Sequence, residues 1–385
     1  MFKHKSSTSS SIKYDRCGHS INGTKTKEMM KNHANAFRFA AAITKYPVNL
    51  KKEHIKINIP IIFHLVDPFL ADKPLDIWKK HINDNIVTTL NIDYNRNYDN
   101  FANTLNEFTG KLFAKADYVK KKYYRNLSSV LPKNINVKWN FFLEDVVSIP
   151  SHDPQINNIF PDSNEKLFRH VSVCDPDRKL NIIIINSGQI LGMSIFPFCD
   201  RDSNNAKKID AQYKYRHAVL IATQIFLGNN PPYDQYKTFT HEIGHWCGLL
   251  HPFDDAVASP EELVKYGLDR LIIDSEENLM HGGTMENMKG DLIADTMPQA
   301  DPTYGTVYDE FKITSLLSSL FCYSSSCKKQ RKTPYAWIFE DNEKFANFLN
   351  FMDYTDDKQL MMFTHDQMLK MIYIMITFRS GFIIE

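Results

Sequence analysis

The sequence has no long uninterrupted apolar run. Its start reads Met1-Phe2-Lys3-His4-Lys5 and then a Ser/Thr-rich stretch to Ser11, without the apolar segment that a secretory signal places behind its basic residues. The apolar stretch Met368–Phe378 is broken by Lys370 and is too short to span a bilayer. These absences set the expectation of a soluble protein with no membrane partner, intracellular or packaged in a particle rather than classically secreted. Cysteine is scarce: Cys17, Cys174, Cys199, Cys247, Cys322 and Cys327 form no CxxC pair, which excludes a disulfide scaffold. Neither sign of charge dominates, with Lys+Arg 46 against Asp+Glu 45 and a formal net charge of +1, so nothing general points to nucleic acid.

What is present is a globular composition, 43% hydrophobic and 24% charged over 385 residues, enough for two ordinary domains or one large two-lobed one. Residues 1–53 read as an N-terminal arm or prosegment, polar at first, with helical spacing from Thr26 to Tyr46 that ends at Pro47. Residues 54–385 form the main domain. Alternation in Ile55-Lys56-Ile57-Asn58-Ile59, continued by Ile61-Ile62-Phe63-His64-Leu65-Val66, predicts a strand. Trp78, Ile82, Ile86 and Leu90 recur at fourth positions and predict a helix capped by Asp76. A second helical pattern runs from Leu105 to Tyr124. Further strands are predicted at Ile135–Leu143, at Ile182–Ile185, buried on both faces, and at Ala218–Ile221. Strands and helices through residue 251 make one α/β lobe, and the rest is richer in loops.

The chemistry concentrates in Thr240-His241-Glu242-Ile243-Gly244-His245-Trp246-Cys247-Gly248-Leu249-Leu250-His251, which contains H-E-x-x-H-x-x-G-x-x-H. On a helix His241 and His245 share one face, so both imidazoles reach a single ion. Gly248 lets the backbone leave the helix through a left-handed or otherwise strained turn and bring His251 back as a third nitrogen ligand. Zinc is the first candidate, and three protein ligands leave the open position of a catalytic site. Glu242 enters the same cleft without being a ligand and can take a proton from water there.

Downstream, Gly290-Asp291-Leu292-Ile293-Ala294-Asp295-Thr296 sets two carboxylates and a hydroxyl within a turn or two. Asp291, Asp295 and Thr296 could hold Ca2+, and helix capping and turn formation explain them equally well. Thr364-His365-Asp366-Gln367 opens a last helix as a capping box, with Gly381 at its end.

With the zinc motif and Asn350-Phe351-Met352-Asp353-Tyr354 both in hand, the chain resembles the metzincin metallopeptidases, the pappalysin family most closely. HEIGHWCGLLHPF looks like that family's zinc helix, the Met352 segment like its methionine turn, and GDLIADT and FTHDQ like further segments in the right order. The resemblance covers roughly residues 55–380, with its specific motifs after residue 240. It implies a two-lobed zincin fold of α/β (α+β) class. An upper lobe with a mixed sheet and helices (about 54–251) would face a lower, loop-rich lobe (about 252–385) that ends in a C-terminal helix. It further implies His241, His245 and His251 as zinc ligands, Glu242 as general base, Met352 as an apolar floor beneath the metal, and Tyr354 as donor to a developing oxyanion. Asp356 and Asp357 follow the methionine turn, where metzincins wall the pocket for the residue after the scissile bond. Acids there would favour Arg or Lys in substrates, and two solvated turn residues are the plainer alternative. Arg16-Cys17-Gly18 resembles the cysteine-switch segments of metzincin prosegments, which implies Cys17 as a latency ligand; an exposed cysteine is the alternative.

Two departures stand out. Lys358-Gln359-Leu360 occupies the place of a cysteine that usually follows the turn, and D-T-P reads Asp295-Thr296-Met297-Pro298. The expectation is a zinc endopeptidase acting on protein or peptide substrates, with a catalytically silent metzincin-like zinc-binding or scaffold protein as the alternative. Substrate identity and oligomeric state are not readable.

Overall fold

The computed structural model describes residues 15–17, 55–96, 130–132, 135–158, 165–187, 190–194, 217–253, 291, 293, 295–296, 302–305 and 347–384. The helical patterns expected at 26–46 and 105–124 lie outside these residues.

Strand β1 spans Asp15–Cys17, β2 Ile55–Leu65, β3 Val137–Ser148, β4 Leu180–Ile185, β5 Ile190–Ser194, β6 Ala218–Ala222 and β7 Ile383–Ile384. They form one sheet in the order β1-β5-β6-β4-β2-β3, with β7 paired to β2. β3, β2, β4 and β6 run parallel, while β5 is antiparallel to β6 and β1 parallel to β5. β4 is buried along its whole length, as its four consecutive isoleucines require of a strand covered on both faces. The sheet is therefore mixed, as expected. β5 and β1 were not legible as strands, the first because Ile190-Leu191-Gly192 has no alternation and the second because three residues carry no period.

Two apolar layers clothe the sheet. On one face, Ile57, Ile59, Phe63 and Leu65 of β2 pack in one core with Trp78, Ile82, Ile86, Leu90 and Tyr94. These come from α2 (Leu75–His81), a π turn over Ile82–Val87, and α3 (Thr88–Tyr94). The helix expected from Trp78 onward is present, but its N-cap is Pro74 and Asp76 sits inside the first turn. Proline at the cap needs no N–H, and the acid favours the positive helix end without capping it. On the other face, Leu167, Phe168 and Val171 of α4 (Glu165–Val171) cover Ile183, Ile185 and Leu220. The first core also takes in Phe239, Ile243 and Trp246 of a buried helix, and Met368, Met371 and Met375 of the last one. Each such side chain contributes about 1.5–3 kcal/mol relative to exposure.

The outer edge of β3 is closed by side chains rather than by a strand. Asn91 accepts from Phe141 N (3.0 Å) and donates to Phe141 O (2.8 Å). Asn95, one turn on, repeats the pair with Trp139 N and O, both at 2.8 Å. Two asparagines at i and i+4 thus act as a strand surrogate and leave fewer free backbone groups on the edge. They also fix α3 against the sheet, and α3 in turn touches the buried helix that carries the histidines. Among the described residues no helix is long and apolar enough to cross a membrane.

Candidate metal centre

The short α1 (Pro68–Ala71) and α5 (Thr223–Phe226) precede the element that matters most, α6 (Lys237–Trp246). Every residue of α6 from Thr238 to Trp246 is buried. Its N-cap, Tyr236, is left-handed (φ 60°) and offers no side-chain cap. The Asp357 carboxylate supplies one from far along the chain: its Oδ2 accepts from Gln235 N (2.9 Å) and Lys237 N (3.2 Å). At the other end Gly248 takes φ 89°, the left-handed turn its position called for, and the chain returns with His251.

The three imidazoles converge. Nε2 of His241 lies 3.1 Å from Nε2 of His251 and 3.2 Å from that of His245, and the last two are 2.9 Å apart. His241 Nδ1–H donates to Phe351 O (2.7 Å) and His245 Nδ1–H to Leu249 O (2.7 Å). In the tautomer that carries the proton on Nδ1, His241 and His245 each turn an Nε2 lone pair inward. Lone pairs at this range repel unless a cation lies among them. The spacings come close to the roughly 3.3 Å separating tetrahedral nitrogens that are each about 2.0–2.1 Å from one zinc ion. The donor set therefore fits Zn2+, and among the described residues it is the one group of three or more His, Cys, Asp or Glu side chains placed to hold a metal.

Glu242 is fully buried beside the ligands. It packs on the sheet at β5, where a Cβ at Gly192 would come within 2.6 Å of its Cγ and 2.7 Å of Oε1. Glycine at 192 is what lets this carboxylate reach the strand. A second glycine serves the floor: a Cβ at Gly244 would stand 2.6 Å from Met352 Sδ, so the methionine sulfur sits directly against α6 one turn from His241. The turn around Met352 is tight. Asn350 Oδ1 accepts from Met352 N (2.9 Å), Asp353 Oδ1 accepts from Tyr354 N (2.8 Å), and Asn350 Nδ2 donates to Gln367 Oε1 (2.9 Å). Gln367 belongs to the capping box of α7 (His365–Phe378), which forms as read from Thr364 to Gln367. Tyr354 is buried with its ring 5.1 Å from that of His251, 5.7 Å from that of His241 and 4.8 Å from Phe253.

The remaining candidates separate from the centre. Asp295 accepts from Thr364 Oγ1 (2.7 Å) and from Asp366 N (2.9 Å), and Asp291 Oδ1 accepts from Ile293 N (3.0 Å). Both Asp295 oxygens thus engage the start of α7. Thr296 is buried, and its backbone N–H donates to Ile293 O (3.3 Å). Asp357 has a role at the start of α6 that the sequence did not suggest, its Oδ2 accepting from Gln235 N and Lys237 N. Asp356 is buried beside it, its N–H donating to Gly305 O (3.2 Å). Cys17 lies in β1, its Cα opposite Gly192.

Burial pushes the carboxyls of Asp291 and Asp295 up to about 7, Asp295 with help from the nearby Asp366 charge, while Lys370 opposes the shift at Asp291. Both carboxyls bind protons more tightly folded than unfolded, so their contribution to stability falls as pH rises from about 4 through about 7. Asp291→Asn should therefore stabilise the metal-free protein more at pH 8 than at pH 5.5, read as the difference in thermal midpoint from wild type. An equal difference at both pH values would contradict this.

Sequence reasoning missed the residues that support α6 from behind. Asp93 on α3 is buried and accepts from Lys237 Nζ at 2.7 and 2.9 Å, and Tyr94 O–H donates to Thr240 O (3.1 Å). The one sequence signal was the spacing of Lys237, His241 and His245, four apart on a single helix face.

No protein-family model matches the chain. It is 27% identical over 272 residues to an uncharacterized protein of Acanthamoeba polyphaga mimivirus, covering 62% of this chain and 28% of that protein. It is 24% identical over 203 residues to extracellular metalloprotease 1 of Coccidioides posadasii, covering 52% and 51%. The chain thus spans between about a quarter and half the length of these curated relatives. Among solved structures, a mutant of Tannerella forsythia promirolysin superposes with a TM-score of 0.50 at 18% identity, covering 96% of this chain and 97% of the other. The mixed α/β fold described above is thus one that this chain shares with promirolysin.

Proposed function

We propose that this protein is a zinc-dependent endopeptidase of the metzincin type, pappalysin-like, with Glu242 as general base. The observation that carries the reading is the placement of Glu242: a buried carboxylate next to three convergent imidazoles, against Gly192 of β5, the strand that the arm's β1 flanks. An extended peptide laid along β5 would bring its backbone to that carboxylate. The metalloprotease name of a relative that matches about half of the chain supports the same reading.

A bound zinc ion would supply Lewis-acid polarisation of the scissile carbonyl and allow water to ionise near neutral pH. Glu242 takes the proton of the attacking water and delivers it to the leaving amine. Tyr354 donates its O–H to the oxygen on which negative charge develops, its ring braced by His251 and Phe253. Met352 fills the space under the ligands and keeps water out. Asp356 is the acid that, in this proposal, favours Arg or Lys after the scissile bond.

The arm gives the proposal a second part, latency. The outer edge of β5 is taken by β1, and Cys17 stands across from the glycine that touches Glu242. A thiolate there is a strong ligand for the open metal position. The chain is thus read as a zymogen whose arm occupies the substrate edge.

Digestion of a peptide library by purified protein lacking residues 1–53 tests the first part. Internal bonds should be cleaved, a chelator should stop cleavage, and added zinc should restore it. One zinc per chain with no cleavage of any peptide would favour the silent zinc-binding scaffold instead.

A further inference from the structure

We infer that Lys237, held by the buried carboxylate of Asp93, is a positioning residue that sets the zinc helix in register with the methionine turn. The inference rests on the reading of the three histidines as a metal centre. Lys237 is the first residue of α6, and two other segments, α3 and the stretch of the methionine turn, meet on it. Its Nζ donates to both oxygens of Asp93 on α3 (2.7 and 2.9 Å), and the same carboxylate accepts from Thr240 Oγ1 (2.7 Å) and Arg96 (3.2 Å). Its backbone N–H donates to Asp357 (3.2 Å). Its ammonium stands 5.6 Å from the centre of the Phe351 ring, a cation–π contact.

Phe351 links this cluster to the metal centre. Lys237 and His241 are four residues apart and share a helix face. Both therefore meet the methionine turn at Phe351: Lys237 over its ring, and His241 through the 2.7 Å bond from Nδ1–H to its carbonyl. That second bond orients a metal ligand, and such outer partners tune metal affinity. If α6 turned or slid against the methionine segment, the carbonyl would leave His241 as the ring left Lys237. The same Asp93, together with Tyr94, holds Thr240, the residue before His241, by its hydroxyl and its carbonyl.

A buried ion pair is a weak source of stability, because desolvation offsets most of its attraction, and a well-packed apolar pair often does as well or better. An apolar pair lacks directionality. This contrast separates positioning from mere stabilisation in an experiment. In the full chain, Lys237→Met keeps the stem and removes the ammonium. The double variant Asp93→Leu with Lys237→Met replaces the whole pair, and Thr240 can then turn its hydroxyl to a helix carbonyl. Zinc affinity is read by competition with a chromophoric chelator, and the thermal midpoint is measured on the metal-free protein.

Lys237→Met should lower the thermal midpoint and weaken zinc binding about tenfold or more. The double variant should regain the thermal midpoint while zinc binding stays weak. Lys237→Arg, which keeps the charge and the bonds to Asp93, should restore affinity. Zinc affinity that recovers together with stability in the double variant, or that never changes, overturns the inference. If Lys237→Met does not fold, the double variant is read alone: zinc binding about tenfold or more weaker at a wild-type thermal midpoint supports the inference, and wild-type zinc affinity overturns it. Wild-type protein that binds no zinc removes the metal centre itself, and this inference with it.

Discussion

Glu242→Ala is expected to keep zinc and fold while lowering peptide cleavage roughly 100- to 10,000-fold, the range a positioned general base contributes. The metal should stay because all three convergent nitrogens belong to His241, His245 and His251. The fold should stay because truncating Glu242 adds no atom to the space it fills against the bare Cα of Gly192. The loss should fall mainly on kcat, since the carboxylate acts on the proton in flight and not on the bound peptide. Zinc content by elemental analysis and initial rates on one internally cleaved peptide are sufficient measurements. A variant within twofold of wild type would remove Glu242 from the role of base and leave the peptidase proposal without its central group.

Deleting residues 1–53 is expected to raise cleavage about tenfold or more at unchanged zinc content. An arm tethered to its site acts at an effective concentration on the order of millimolar, well above most peptide substrates. The variant Cys17→Ala divides this effect. β1 pairs with β5 through its backbone at Asp15 and Cys17, and the substitution leaves that pairing in place while removing the thiol. Activation by both changes would place the thiol at the metal. Activation by deletion alone would make strand pairing the block, and activity unchanged by either would end the latency proposal. The readout is kcat/KM on the same peptide, with zinc measured in parallel.

What was legible in the sequence was whatever a short run of residues can encode. His241, His245, Gly248 and His251 carry their geometry in their spacing, and the convergence of the three rings follows from it. The capping box at Thr364 and Gln367 formed as read, because both partners lie within one turn. Where residues meet only through folding, the sequence was silent. Asp93 and Lys237 are joined across the interface of α3 and α6, and neither has a motif. Asp357 looked like an acid for substrates because its neighbours in sequence are the methionine turn. Its neighbours in space include the N–H groups that open α6, because a helix start without its own side-chain cap leaves donors to satisfy. The same holds for Asp295, whose partners Thr364 and Asp366 lie far along the chain. For β5, Gly192 hid the strand in sequence, and the reason for that glycine is a carboxylate on another element.

The pairing of β7 with β2 bears on how the chain acquires this structure. Ile383 pairs with Ile57 and Ile384 with Lys56, so the beginning of the longest parallel pair of strands is completed by residues from the far end of the described chain. Closing so large a loop gains little until most intervening contacts exist, and topologies of this kind fold slowly. During synthesis β2 could pair with β3 and β4 while the stretch at Lys56 and Ile57 stayed open, an exposed strand edge of the kind that invites misassembly. Met368, Met371 and Met375 of α7 join the same core as β2, so the last helix and the last strand arrive together. The rate-limiting step of refolding should then be the docking of residues 364–384, visible as late hydrogen-exchange protection at Lys56 and Ile57 relative to the rest of β2.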